Sequence, residues 1–297
     1  MQQHTNAAPD VYQIVTNRII EHLEAGTIPW QKPWVEAGLP SNLITKKPYR
    51  GINVFLLASL DYEKNLFLTW QQIQDCGGKV KKGEKGHVII FYKKMVKKDQ
   101  ESEEQTEEPK TTSVPLLRYY KVFNIAQCDN LPSSLIPEMN PDLISPLRHC
   151  KLIMDTMPNP PRIQHKEAKA YYVPDEDYIN MPKLNKFKTS EAYYGVLFHE
   201  LIHSTGHSSR LNRKEVTGKI EFGTKEYSLE ELTGEIGAAF LKSFTGIVDD
   251  EHTNSAAYIK GWLTVLQNDK RFIFYASSRA QLAVDYIFAT IEEKASS

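Results

Sequence analysis

His199 and His203, in the run His199-Glu200-Leu201-Ile202-His203, carry the strongest chemical signal in the chain. At helical spacing i and i+4 two imidazoles leave the same side of a helix and can grip one metal ion between them. Glu200 is turned around the helix, where a carboxylate can face a metal-activated water and take its proton as that water attacks a carbonyl. The pattern reads as a zinc-dependent hydrolytic centre, with Zn2+ the expected cofactor and Glu200 the expected catalytic base. Tyr193, Tyr194, Val196, Leu197, Phe198, Leu201 and Ile202 make the segment heavily apolar, and buried imidazoles need partners.

A third ligand must come from elsewhere. Gly206 would suit a sharp turn closing the site locally, but Ser209 stands where a histidine would be needed, and His207 is reachable only if the helix stays regular through Thr205-Gly206. Downstream, Glu230, Glu231 and Glu235 open a second helix. Glu231 and Glu235 are four apart and point into the same space. Glu231 is the expected ligand; Glu235 is the expected partner of His199 or an alternative ligand, and Glu230 the one expected to face solvent. An acidic first turn is also what the helix dipole favours. Gly234, Gly237, Ala238 and Ala239 would let this helix approach closely. Tyr171 or Tyr172 could donate to a developing oxyanion from an edge strand, although packing is the plainer role for both. Arg210, Arg213 and Lys214 could contact a substrate or nucleic acid, or be exposed charge.

These residues need scaffolding. Apolar spacing predicts helices over Val11–Leu23, Leu147–Thr156, Ser190–Ser204, Ser228–Phe244, Ala256–Gln267 and Ser277–Lys294, with a short one capped by Thr69 and stopped at Gly77-Gly78. Val88–Tyr92 and Leu117–Phe123 predict a hairpin around a long acidic insertion, residues 99–112. Ala168–Val173 and Tyr178–Met181 predict short strands. Prolines at 132, 137, 141 and 146 mark a linker. The expected organisation is α+β in two domains: residues 1–130, a linker at 131–146, and a mainly helical 147–297.

The two halves differ in charge. The 297-residue chain has formal net charge -1, yet residues 1–98 hold 14 Lys or Arg against 8 Asp or Glu, so the N-terminal part can meet a polyanion. Trp30, Lys32, Trp34, Lys46, Lys47, Tyr49 and Arg50 combine flat rings with cations, and Lys79, Lys81, Lys82 and Lys85 lie among glycines. Single-stranded nucleic acid suits such a set: bases stack on rings while lysines approach phosphates. The bland alternative is a domain core covered by tryptophans under a solvated basic surface. Three scattered cysteines argue against a disulfide scaffold, and neither a signal core nor a membrane-length apolar run is visible, so a cytoplasmic protein is expected.

Pro29-Trp30-Gln31-Lys32-Pro33-Trp34, Pro48-Tyr49-Arg50-Gly51-Ile52-Asn53, Lys82-Gly83-Glu84-Lys85-Gly86 and Tyr120-Lys121-Val122-Phe123-Asn124 resemble the single-stranded-DNA-binding domain of ArdC-type antirestriction proteins of conjugative plasmids. Asp177-Tyr178-Ile179-Asn180-Met181-Pro182, His199 to His207, Arg210-Leu211-Asn212-Arg213 and Glu230 to Glu235 resemble the zincin-like metallopeptidase domain found with it. The resemblance implies a protein that binds single-stranded DNA and protects incoming plasmid DNA from restriction. It leaves two other functions to weigh: a DNA-recruited metalloprotease that cuts a restriction or DNA-processing protein, and a DNA-masking scaffold whose zinc is structural.

Overall fold

The computed structural model describes residues 10–31, 38–97, 112–137, 146–218, 221, 223–248 and 256–296. The acidic run from Asp99 to Glu108, Lys32 and Trp34 lie outside them.

Helix α1 (Val11–Glu24) starts where the Asp10 carboxylate accepts hydrogen bonds from the Tyr12 and Gln13 amides, and it buries Val15, Ile19 and Leu23. After β1 (Ser41–Asn42), Gly51 takes a positive φ of 56° and launches α2 (Ile52–Ala58), buried along almost its whole length. Strand β2 (Leu66–Thr69) runs straight into α3 (Trp70–Asp75), where the Thr69 and Gln72 side chains form a reciprocal capping box. The short β3 (Lys79–Val80) precedes the long hairpin of β4 (His87–Lys97) and β5 (Thr112–Asn124), and β3 pairs with β6 (Cys128–Asp129). The expected hairpin is therefore present, and its ladder is longer than apolar patterning suggested.

These strands make a four-stranded sheet in the order β1-β2-β5-β4. The Asn53 side chain covers the free edge of β4: its amide donates to Ile90 O at 2.8 Å and its carbonyl accepts from Ile90 N at 2.7 Å. That is the pairing a neighbouring strand would have supplied.

The C-terminal unit begins with α4 (Pro146–Thr156) and a three-stranded sheet of β7 (Arg162–Gln164), β8 (Tyr171–Val173) and β9 (Tyr178–Asn180), ordered β7-β9-β8. Helices α5 (Ser190–Ser204), α6 (Lys214–Thr217), α7 (Lys225–Thr245), α8 (Ala256–Asn268) and α9 (Phe272–Ser296) follow. The architecture is α+β in two units, the N-terminal one mixed and the C-terminal one mainly helical.

The two units share apolar packing. Val15, Ile19, Trp30 and Phe55 belong to the same buried cluster as Phe198, Leu232, Ile236 and Ile273. Phe55 stacks on Phe240 with ring centroids 5.2 Å apart and planes 10° apart. Around this contact the Gly51 amide donates to Gln281 Oε1 at 2.9 Å, and Arg50 pairs with Asp285. Phe55→Ala is expected to lower global stability by about 3–5 kcal/mol, the range for deleting a buried phenyl ring. Chemical denaturation followed by circular dichroism should show a single shifted transition; loss confined to the N-terminal sheet would contradict a shared core.

Candidate metal centre

Helix α5 is apolar on nearly every side because α7, α4 and the small sheet surround it. Thr189 caps its start by accepting from the Ala192 amide at 3.1 Å. Near its end His199 and His203 face each other, their Nε2 atoms 2.9 Å apart. Helix α7 brings Glu231 to the same point, one carboxylate oxygen 3.7 Å from His199 Nε2 and the other 3.8 Å from His203 Nε2. One donor atom from each residue lies within 4.8 Å of the others, so the three could hold a metal ion. Two nitrogens on one first-row divalent ion sit roughly 3.1–3.4 Å apart, so the imidazoles need only a small separation to accept one. His199 and Glu231 keep 24% and 34% of their side-chain surface exposed, which opens the cluster to solvent on that side.

Close approach of α7 depends on glycine. A Cβ on Gly234 would lie 2.8 Å from His203 Cε1 and 2.9 Å from His199 Cε1, and one on Gly237 would lie 2.6 Å from the Ile202 side chain. Any larger residue at 234 would push against the two imidazoles.

Glu230 is not the solvent-facing acid that the sequence suggested. It is 6% exposed, and its Oε1 lies 2.9 Å from His203 Nδ1. Arg213, also buried, holds the same carboxylate through Nε to Oε2 at 2.9 Å and Nη2 to Oε1 at 2.6 Å, and donates to Thr205 Oγ1 and Ile202 O as well. Arg213 is thus an internal strut and not a surface cation. Arg210 is likewise enclosed, held by Asp177, by Ser204 O at 2.7 Å and by the Tyr172 hydroxyl at 3.2 Å. That contact ties β8 and β9 to the end of α5 and gives Tyr172 a structural bond.

The expected partnership of Glu235 with His199 is replaced by another. Trp30 Nε1 donates to Glu235 Oε2 at 2.8 Å, and the Tyr258 hydroxyl also bonds this carboxylate. Burial raises the Glu235 carboxyl, against the lowering effect of those two bonds. The carboxylate that orients an imidazole is therefore Glu230, acting on His203. Glu200 is buried at 9% exposure, one residue from His199.

Among the basic and aromatic residues, Trp30 is 1% exposed and lies edge-on to Trp262 at 6.2 Å, so it offers no stacking surface. Tyr49 is partly buried edge-on to Phe67 at 6.2 Å. Arg50 is committed to Asp285. Lys46 and Lys47 are exposed, with Lys46 Nζ donating to Leu135 O, and Lys79, Lys81, Lys82 and Lys85 are exposed around the β3–β4 turn. Of four exposed aromatics, sequence reasoning passed over Trp70, Phe91 and Tyr119 and met Tyr120 only within the Tyr120-to-Asn124 motif. For Phe91, Tyr119 and Tyr120 the signal available was strand alternation, which leaves rings on whichever face nothing covers, whereas Trp70 opens α3.

Comparison with known proteins agrees with this layout. Residues 9–123 match the N-terminal domain of anti-restriction factor ArdC, and residues 156–279 match the zincin-like metallopeptidase family. Uncharacterized protein y4eC of Sinorhizobium fredii is 32% identical over 293 residues, covering 94% of this chain and 92% of that protein. DNA primase TraC of Escherichia coli is 33% identical over 302 residues, but the chain spans only 27% of the primase. The crystal structure of antirestriction ArdC from plasmid R388, metal-free, is 35% identical with a TM-score of 0.76, covering 96% of this chain and 99% of that one. Its Mn(II)-bound form matches with a TM-score of 0.75. The Mn(II) structure corrects the expectation of a specific Zn2+ cofactor. Two imidazoles and a carboxylate suit several first-row divalent ions, so ligand spacing alone could not select zinc.

Burial opposes charge on His199, but the Glu231 carboxylate, then Glu200 and Glu235, raise the imidazole to about 9. Folding without metal thus gains proton-linked stability that is complete below the unfolded value of 6.5 and lost as pH rises through about 9. A metal must displace this proton, so metal affinity should rise with pH over the same window, by up to about tenfold per unit. Calorimetry in buffers of different ionisation enthalpy measures the proton released. Glu230→Gln is expected to weaken metal binding by about 10–100-fold by loosening His203; an unchanged affinity would remove Glu230 as its orienting group.

Proposed function

This chain belongs to the ArdC family of antirestriction proteins, and on that premise we propose that it binds single-stranded DNA through its N-terminal unit and holds a divalent metal between His199, His203 and Glu231. The convergence of two helices on one point carries the metal reading: Glu231 of α7 faces both imidazoles of α5. The excess of cations in residues 1–98 and the exposed lysines at the β3–β4 turn support the DNA reading. In this reading the protein shields incoming plasmid DNA in the cytoplasm. Among the described residues, no helix is long and apolar enough to cross a membrane.

A second reading adds hydrolysis, favoured by the solvent opening beside His199 and Glu231 and by Glu200 next to the first ligand. A divalent metal held here would supply Lewis acidity toward water and a carbonyl. Glu200 would take the proton of the attacking water on a carboxylate oxygen and pass it to the leaving nitrogen. Glu230 and Arg213 would keep His203 oriented throughout. The substrate would be a restriction or DNA-processing protein encountered on DNA.

Titrating labelled single- and double-stranded oligonucleotides at several salt concentrations tests the first reading. Binding to the single strand should weaken as salt rises, and no binding at low salt would overturn it. For hydrolysis, Glu200→Gln should retain metal while peptide cleavage falls by about 10²–10⁴-fold. His199→Ala should lose both. Equal cleavage by Glu200→Gln and the parent protein would eliminate Glu200 as the base.

A further inference from the structure

We propose that single-stranded DNA lies across the face of the β4–β5 hairpin that carries Trp70, Lys121 and Tyr119, with bases stacked on the two rings and Lys121 meeting the phosphates between them. This placement rests on the DNA-binding reading and gives it a surface.

Strand alternation sorts the hairpin's side chains. Leu68 is opposite Phe123, Val88 opposite Lys121 and Ile90 opposite Tyr119, so Phe123, Lys121 and Tyr119 share one face and Val122 and Tyr120 share the other. Phe123 is buried beneath the Trp70 ring, their centroids 5.9 Å apart. Trp70 itself stays 54% exposed and Tyr119 42% exposed. The two rings therefore flank Lys121 along about 13 Å of strand, the length of four residues.

The Trp70 ring is well fixed. It is the first residue of α3, whose entry is locked by the Thr69–Gln72 capping box, and it rests on Phe123. Gly86 opens the same face to the lysine turn. A Cβ there would lie 2.9 Å from both Lys121 Cβ and the Phe123 ring, so only glycine lets the turn lie this close. The turn carries the exposed Lys82 and Lys85, while Glu84 is engaged by a 2.7 Å hydrogen bond from Gln127. Fixed rings interleaved with cations suit a flexible polyanion with unpaired bases, since every base has a face to stack.

The opposite face also has exposed rings, Phe91 and Tyr120, with centroids 6.3 Å apart. It packs on the Leu57, Phe67 and Val122 core beside Tyr62 and lacks the close approach of Gly86 to Lys121 and Phe123, and so serves as the internal comparison.

Fluorescence anisotropy of a labelled thymidine oligonucleotide with the full-length protein tests the placement. Trp70→Ala and Tyr119→Ala should each weaken binding by roughly 5- to 150-fold, and Lys121→Ala should reduce the salt dependence by about one phosphate contact. Phe91→Ala with Tyr120→Ala should change affinity by less than about threefold. Trp70→Phe and Tyr119→Phe, which keep a ring, should restore most of the affinity and guard against misfolding in the alanine variants. A parent protein that fails to bind at low salt defeats the DNA reading as a whole. Normal binding that survives loss of Trp70 and Tyr119, or that is lost through Phe91 and Tyr120 instead, defeats this placement alone.

Discussion

The contact of α7 with α5 at Gly234 and Gly237 sets the distance on which the metal centre depends. With hydrogen atoms in place of side chains at these positions, Glu231 can reach both His199 and His203, and the imidazoles sit directly against the α7 backbone. A conventional interface with larger residues would hold the helix axes farther apart. The carboxylate would then fall short of the nitrogens. Leu229, Leu232, Ile236 and Phe240 bury the remainder of α7, so the apolar stripe supplies cohesion while the glycines set spacing.

Such spacing brings a charge problem with it. Glu230 is drawn into the same interface, where an isolated carboxylate would be unstable. Two hydrogen bonds from Arg213 and one contact with His203 Nδ1 resolve it, and despite burial the Glu230 carboxyl is held below its ordinary range. Arg213 in turn satisfies carbonyls at the end of α5. One ion pair therefore caps a helix and fixes the ring of a candidate ligand, and for this reason Arg213 cannot serve as a surface cation.

The legible parts of the sequence were those with strong local periodicity. Ser190–Ser204 is a helix with the predicted bounds, because His199, Glu200 and His203 sit within a continuous apolar pattern ended by Thr205-Gly206. Glu231 was legible by its spacing from Glu235 and by the small residues that follow. Its neighbour Glu230 was not, since its burial depends on Arg213 arriving from a separate loop, a contact with no local signature. Trp30 misled for a similar reason: its proline- and lysine-rich surroundings read as surface, whereas its indole reaches Glu235, 205 residues away. The exposure of strand rings such as Phe91 and Tyr119 was not legible, because composition cannot say which face of a sheet is left bare.

Trp30 also shows why the two units are unlike beads on a string. Its N–H ends on Glu235, one turn of α7 beyond Glu231, so a residue of the N-terminal unit helps determine the surroundings of the metal cluster. Phe55 against Phe240 and the Gly51 amide on Gln281 fasten the same unit to α7 and α9. Ile90 of the hairpin belongs to the same buried cluster. A nucleic acid held on the hairpin and a metal held at His199 would therefore occupy parts of one packed body. Division of the chain near residue 130 would expose the apolar faces of α1 and α2, which the helical unit now covers.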